Sequence, residues 1–160
     1  MRATVMTVTT LTLLLAPPAV ASAEPEAPQP GTTCAADFSD AMTRPADSRF
    51  ALVCLNNQWQ SVTTPQAPND RWLSFGPPMT LHGEGLRNPD VASGNWTATP
   101  QDPDTGCRAE QRAVVEAGVV GAPQVSEAPA GQPLSFQVVP RLFSIELSGY
   151  CLWIRTDSFQ

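Results

Sequence analysis

Four cysteines restrict the folding of this chain more than any other sequence feature. They stand at positions 34, 54, 107 and 151. None of them forms a close C-x-x-C pair of the kind that zinc and redox sites use. An even number of well-separated cysteines in an exported chain predicts disulfides, and four cysteines allow three connectivities. We favour Cys34 with Cys54 and Cys107 with Cys151, because each bridge then closes a segment that looks like a unit of its own.

The N-terminus indicates that the chain is exported. Arg2 precedes an uncharged, largely apolar run, and Ala21 and Ala23 form an A-x-A cleavage pattern. Residues 1–23 are therefore predicted to be a secretory signal peptide, and the protein is expected to be secreted and extracellular. Prolines interrupt the apolar run before it reaches the roughly 20 residues that a membrane span needs, so no span is expected after cleavage. The remaining residues, 24–160, have the length of one domain.

Three segments of different character follow the signal peptide. Residues 24–33 are rich in proline and polar residues, and we predict an extended or disordered linker. Residues 34–64 predict a short disulfide-closed hairpin unit, because Asn56 and Asn57 join two β-prone runs and tolerate the positive φ of a type I′ turn. In residues 65–160, short strand-like runs alternate with proline and glycine, which is typical of a small antiparallel β-sandwich or barrel. The predicted class is all-β, with the last two segments forming one compact domain.

Two parts of this last segment bear directly on the predicted sheet. Residues 71–75 and 79–82 predict two short strands, with a Gly-Pro-Pro stop between them. Residues 107–118 are compatible with a strand or with a helix. A period of two places Cys107 and Gln111 on one face and every charge on the other, whereas a helical period gives a stripe of alanines. We favour the strand, because the alternation lets the cysteine point inward.

Residues 143–155 form the most strand-like run of the chain. Their odd positions are apolar, and after Gly149 the even positions Tyr150, Leu152 and Ile154 are apolar as well. This pattern leaves three interpretations: the strand is covered on both faces, it carries an apolar patch, or a bulge at Gly149 exchanges its faces. If the even face is a patch, Tyr150, Leu152 and Ile154 form a possible binding face.

An ordered pattern runs through residues 79–155. It consists of Gly94, Trp96, Cys107, Phe136, Val138, Phe143, Cys151 and Trp153. The pattern resembles a group of uncharacterised secreted actinobacterial domains of the mycobacterial type, in which "PG-T-Y/W", cysteine and F-x-V strands precede a closing "F-x-S-x-G-C-x-x-W". This chain departs from it at Ser93, where the family has proline, and at Arg108 and Ala109, where the family has an aromatic residue. The resemblance implies a β-sandwich with a Cys107 to Cys151 bridge, and it implies no activity.

The titratable residues form no recognisable catalytic constellation. His82 is the only histidine, and the sequence has no G-x-S-x-G, H-E-x-x-H or phosphate-loop motif. Glu84, Asp90 and Glu146 are candidates for the carboxylate pair of a small secreted Asp/Glu hydrolase, although their spacing does not single them out. Residues 100–106 are the candidate reactive loop of a secreted protease inhibitor. Our prediction is a protein that is not an enzyme, with no catalytic residue, metal site or cofactor.

The net charge of the chain bears on which kinds of partner it can bind. Its formal net charge is −6 at pH 7. Clustered positive charge supplies most of the affinity for nucleic acid and for anionic membranes, so we expect neither as a partner. The favoured function is a secreted non-catalytic domain that binds a protein, a glycan or a cell-envelope component. The sequence does not identify this extracellular or envelope partner, and the hydrolase and the protease inhibitor are the alternatives.

Overall fold

The computed structural model describes residues 25–46 and 48–156. The predicted signal peptide therefore lies outside the described residues. The regular structure of the described chain is all-β apart from one turn of 3-10 helix at Ala36–Phe38, and the predicted fold class is confirmed. The strands are β1 (Met42–Thr43), β2 (Leu52–Leu55), β3 (Gln58–Ser61), β4 (Arg71–His82), β5 (Gly94–Pro100), β6 (Arg108–Glu116), β7 (Val119–Val120), β8 (Gln124–Glu127), β9 (Leu134–Val138) and β10 (Leu142–Arg155).

One long antiparallel pair, β4 with β10, forms the centre of the sheet. The other edge of β10 pairs first with β6 and then with β5, so the sheet branches there. One path has the strand order β3-β2-β1-β4-β10-β5-β9, and the other runs from β10 to β6, which carries β7 and β8. Every pair is antiparallel except β1 with β4, where Met42 lies opposite Trp72 in parallel. The sheet is therefore mixed, which corrects the prediction of a purely antiparallel one.

The strand β4 continues through residues 76–78, where the sequence predicted a stop. The prediction of two separate strands is wrong because the two prolines stand opposite the single residue Ser148 in a bulge. A bulge tolerates proline, since its residues have no ladder hydrogen bond to donate. The bulge also exchanges the faces of β4. Trp72 and Met79 therefore both contact the main core, although a regular strand would direct them to opposite sides.

Gly149 lies where β10 changes its partner from β6 to β5. Its φ is +91°, and a Cβ at this position would collide with the carbonyl oxygen of Gly106 in the β5–β6 connection. Glycine is required here for both reasons. On β10 itself the odd positions stay in the main core on both sides of this glycine, for example Leu147 and Cys151. The bulge therefore does not exchange the faces of β10.

The main core lies on one face of the β4–β10 pair. Trp72, Trp96 and Trp153 are all at most 2% exposed there, as expected for the largest apolar side chains of the chain. The disulfide between Cys107 and Cys151 lies in the same cluster and confirms the second predicted bridge. It ties the start of β6 to the middle of β10, next to the branch point of the sheet.

A second apolar cluster covers the opposite face of the same strand pair. Leu73 of β4 and Leu152 of β10 pack there against residues of the N-terminal unit, including Trp59. The disulfide between Cys34 and Cys54 belongs to this cluster and confirms the first predicted bridge. The β4–β10 pair is therefore buried on both faces in this part of the sheet, which explains why β10 is apolar at consecutive positions.

The predicted hairpin forms as the asparagines require. Asn56 has φ of 52° and Asn57 has φ of 61°, as a type I′ turn between β2 and β3 demands. The strand β1 pairs with β2 and with β4, so main-chain hydrogen bonds join the N-terminal unit to the rest of the sheet.

Residues 107–118 contain the strand β6, as favoured from the alternation. Cys107 and Gln111 are buried on its inner face. The Gln111 amide donates a hydrogen bond to the carbonyl of Gln137 (2.9 Å) and accepts one from the amide of Val139 (3.1 Å). This side chain joins the two branches of the sheet across the core, so the sheet closes partly in the manner of a barrel.

Candidate functional site

The three residues of the predicted binding face differ in how deeply they are buried. Leu152 is buried in the second cluster, whereas Tyr150 and Ile154 are half-buried against it. The N-terminal unit thus covers the middle of this face. The part that reaches the surface is the area around Tyr150, whose ring stacks on Phe75 with 5.3 Å between the ring centroids.

Three aromatic side chains from different strands form a row beside this area. Trp59 of β3 meets Phe75 of β4 edge to face at 6.4 Å, and Phe75 in turn stacks on Tyr150 of β10. Burial raises the pKa of the Tyr150 hydroxyl above its ordinary value, and the negative charge of Asp102 raises it further. We call Trp59, Phe75 and Tyr150 the aromatic row.

A cleft of about 560 Å³ opens on one side of Phe75. Its lining includes Phe75, the exposed prolines of the β4 bulge and Phe50, which has 51% of its surface exposed. Arg44 and Arg49 add positive charge to the lining. Clefts of this size, mainly apolar with a few fixed polar groups, are the usual form of small-molecule sites. Phe50 is a large aromatic group that the fold leaves exposed beside such a cleft.

A second cavity of about 360 Å³ lies on the other side of the row. Trp59, Phe75 and Tyr150 all line it, together with Phe38 of the N-terminal unit. The two cavities therefore share Phe75 as a common wall. We refer to the two cavities with the aromatic row as the aromatic groove.

Residues 25–30, which we call the strap, lie against this groove. Pro28 is buried, and Gly31 donates its amide to the carbonyl of Trp59 at 2.7 Å. Thr32 and Trp59 continue the contact, since the Trp59 amide donates to the Thr32 carbonyl. The described part of the predicted linker is thus attached to the N-terminal unit by these main-chain hydrogen bonds. The periodicity of the sequence does not indicate that the strap lies against the groove, because this arrangement depends on a single proline and on aromatic residues far along the chain.

Arg44 is fixed beside the cleft by a carboxylate. Its guanidinium donates to both oxygens of Asp90, at 2.7 and 3.1 Å, and to the carbonyl of Thr80 at 3.2 Å. Asp90 also accepts a hydrogen bond from the amide of His82 at 2.8 Å. The guanidinium carbon lies 6.0 Å from the centre of the Trp72 ring. This group links the N-terminal unit to the end of β4 and orients Arg44 at the edge of the cleft.

Of the three carboxylates considered for a hydrolase, two accept hydrogen bonds from other side chains and the third lies exposed on a strand. Glu84 accepts hydrogen bonds from the side chain and amide of Ser93, which lower the pKa of its carboxyl group. Asp90 pairs with Arg44 as described above. Glu146 lies exposed on β10, opposite Glu110 of β6. These contacts give Glu84 and Asp90 structural roles.

The loop considered for a protease inhibitor is folded into a compact turn. The carboxylate of Asp102 accepts hydrogen bonds from the amide of Asp104 (2.9 Å) and from the hydroxyl of Thr105 (2.6 Å). Gly131 donates its amide to the Thr105 carbonyl, so the loop is also tied to the β8–β9 connection. Its exposed tip consists of Pro103 and Asp104.

Another exposed apolar area lies along β6 and the two strands that pair with its outer edge. It comprises four valines that are between 38% and 52% exposed: Val115, Val119, Val120 and Val125. They lie on β6, β7 and β8, at the edge of the branch that leaves β10. We call this area the valine surface, and it provides matched control positions for the aromatic groove.

No protein-family model, curated protein or solved structure matches this chain. Within residues 25–46 and 48–156, no group of three or more His, Cys, Asp or Glu side chains is placed to hold a metal ion. In the same part of the chain, no helix is long and apolar enough to cross a membrane.

Sequence analysis identified Tyr150 but missed Phe50, Phe75 and Pro28. Phe75 lies directly before the Gly-Pro-Pro bulge, and Phe50 directly follows Arg49 in a loop. Both Phe50 and Phe75 could have been identified as candidate surface residues because each lies outside a predicted strand or at its end. This indication was weak, because an isolated aromatic residue is more often part of a core.

Proposed function

We propose that the protein is a secreted, non-catalytic binding domain and that the aromatic groove is its ligand site. The observation that carries this proposal is Phe50, half exposed in the lining of a 560 Å³ cleft that Phe75 and the proline bulge also line. Exposed aromatic groups around a concave surface typically mark sites where a partner is bound, since they bury much area at a small cost in side-chain entropy. The partner is a protein, a glycan or a cell-envelope component.

The two disulfides indicate an oxidising environment, because cytosolic thiol systems keep most cysteines reduced. Together with the predicted signal peptide, they support secretion of the domain. The same context favours a partner at the cell envelope or outside the cell.

The groove offers a ligand mainly apolar walls, with the side chains of Arg44 and Arg49 in its lining. Arg44 is held by Asp90 and Thr80, so its orientation is set before a ligand arrives. Arg49 is exposed on the same lining. An extended ligand with apolar groups would therefore match the groove. The acidic chain as a whole would also repel nucleic acid.

The test is retention of envelope components by immobilised residues 24–160. Phe50→Ser removes an exposed side chain and should leave folding unchanged, whereas the affinity for the retained component should fall about tenfold or more if Phe50 is a hot spot. Val125→Ser, at a position that is 49% exposed on the valine surface, is the matched control. Retention that is lost in the Val125 variant and kept in the Phe50 variant would place the site elsewhere and refute the proposal.

A further inference from the structure

The strap divides the aromatic groove. Both cavities are lined by Ala27, Pro28 and Gln29 of the strap and by Phe75 of the aromatic row. The strap therefore lies between the cavities, over the ring that they share. Without it, the two cavities of about 560 and 360 Å³ would form one continuous groove along Phe75.

The strap is held by few contacts. Pro28 is its buried residue, and the main-chain hydrogen bonds to the body of the protein begin at Gly31, whose amide donates to Trp59. The hydrogen bonds of Gln29 are local, since its carbonyl and amide both pair with Thr32. Gly31 has φ of +85° and open space around its α-carbon, so it can act as a hinge.

The chemistry of the strap shows what the groove accepts. Residues 25–30 read P-E-A-P-Q-P, with proline at positions 25, 28 and 30. Proline favours the extended polyproline II conformation, which needs no internal hydrogen bonds and loses little entropy on binding. Grooves lined by aromatic rings are the usual partners of such segments.

We infer that the aromatic groove binds an extended, proline-rich segment of another polypeptide, and that the strap occupies part of the same site as an intramolecular competitor. This inference rests on the proposed function and specifies its ligand class. A ligand would displace the strap by rotation at Gly31 and would then contact both cavities at once.

Competition makes a quantitative prediction. A tethered segment acts at an effective concentration in the millimolar range, so it weakens the apparent affinity for a ligand in proportion to the time that it spends bound. Replacing Pro28 and Pro30 by glycine removes the buried ring and increases the freedom of the released strap. Both effects favour the open groove.

The experiment is a titration of residues 24–160 with a synthetic peptide, Glu-Pro-Glu-Ala-Pro-Gln-Pro, followed by tryptophan fluorescence and by calorimetry. We expect the Pro28→Gly, Pro30→Gly double variant to bind the peptide about tenfold more tightly than the unaltered chain. Pro123→Gly, at an exposed proline between β7 and β8, should bind like the unaltered chain. A peptide with alanine in place of its prolines should bind at least tenfold more weakly to the double variant.

Three results would overturn the inference. They are no binding of the peptide to the double variant, equal binding to the double variant and the unaltered chain, and equal binding of the alanine peptide. Intact disulfides and an unchanged near-ultraviolet circular dichroism spectrum of the variant confirm that its fold is retained. If the peptide fails to bind while Phe50→Ser still abolishes retention of an envelope component, the inference is wrong and the proposed function stands.

Discussion

Replacing Asp90 by alanine should destabilise the fold by about 2–3 kcal/mol. The carboxylate accepts three charge-assisted hydrogen bonds, two from the Arg44 guanidinium and one from the His82 amide. Hydrogen bonds to charged groups contribute about 1.5–3 kcal/mol each when measured singly. The side chains of Arg44 and Asp90 are 29% and 17% exposed, so solvent screening lowers the total well below the sum of the three. Arg44 also keeps its bond to the Thr80 carbonyl in the variant.

Urea unfolding followed by tryptophan fluorescence, with both disulfides intact, measures this loss. For a domain of this size the corresponding fall in melting temperature is roughly 6–10 °C. Asp104→Asn, at an exposed turn residue, is the control and should change stability by no more than about 0.5 kcal/mol. A double-mutant cycle with Arg44→Ala should give a coupling energy of at least about 1 kcal/mol. A loss equal to that of the control, or a coupling energy near zero, would refute the assigned role of this pair.

Three further predictions concern the bridges, the tyrosine and the glycines. Replacing the cysteines of the 34–54 bridge by serine should lower the free energy of unfolding by about 3 kcal/mol, and of the 107–151 bridge by about 4 kcal/mol, because the second bridge closes the longer loop. A larger loss for the 34–54 bridge would contradict this dependence on loop length. Tyr150, the only tyrosine, should ionise above pH 10.0 in an ultraviolet absorbance titration, because its burial raises the pKa. The raised pKa contributes stability below pH 10.0 that is lost as the pH rises through the folded pKa. A midpoint below pH 10.0 would exclude the burial of Tyr150. Gly149→Ala should destabilise the domain by roughly 3 kcal/mol, because both its positive φ and the carbonyl oxygen of Gly106 oppose a Cβ. Gly118→Ala, where φ is also positive but space is open, should cost about 1 kcal/mol. Equal losses would count against the close approach of Gly149 to Gly106.

The sequence was sufficient where local chemistry decides the structure. Asn56 and Asn57 predicted the type I′ hairpin because few other residues adopt positive φ without strain. The alternation of residues 107–118 predicted a strand, and the spacing of the cysteines predicted both bridges. In each of these cases the information lies in the segment itself or in a chemical preference of its residues.

The sequence was insufficient where a distant segment decides the structure. The prolines at 77 and 78 remain in a strand because Ser148, far along the chain, leaves room for a bulge. Leu152 is buried because the N-terminal unit folds over it, and its own alternation could not distinguish this from an exposed patch. Pro28 lies in a segment without periodicity, and only the folded chain brings it into the lining of the same cleft as Phe75. The site was missed for the same reason, since its walls come from separate parts of the chain.

Site-specific photocrosslinking tests most directly whether the aromatic groove is the binding site. Benzoylphenylalanine would replace Phe50 in one variant and Val125 in another, two positions of similar exposure on different surfaces. Each variant would be irradiated with the envelope fraction of the source organism and with the proline-rich peptide. We predict crosslinks from position 50 to both the envelope component and the peptide, and none from position 125. Crosslinks from position 125 with none from position 50 would contradict the account.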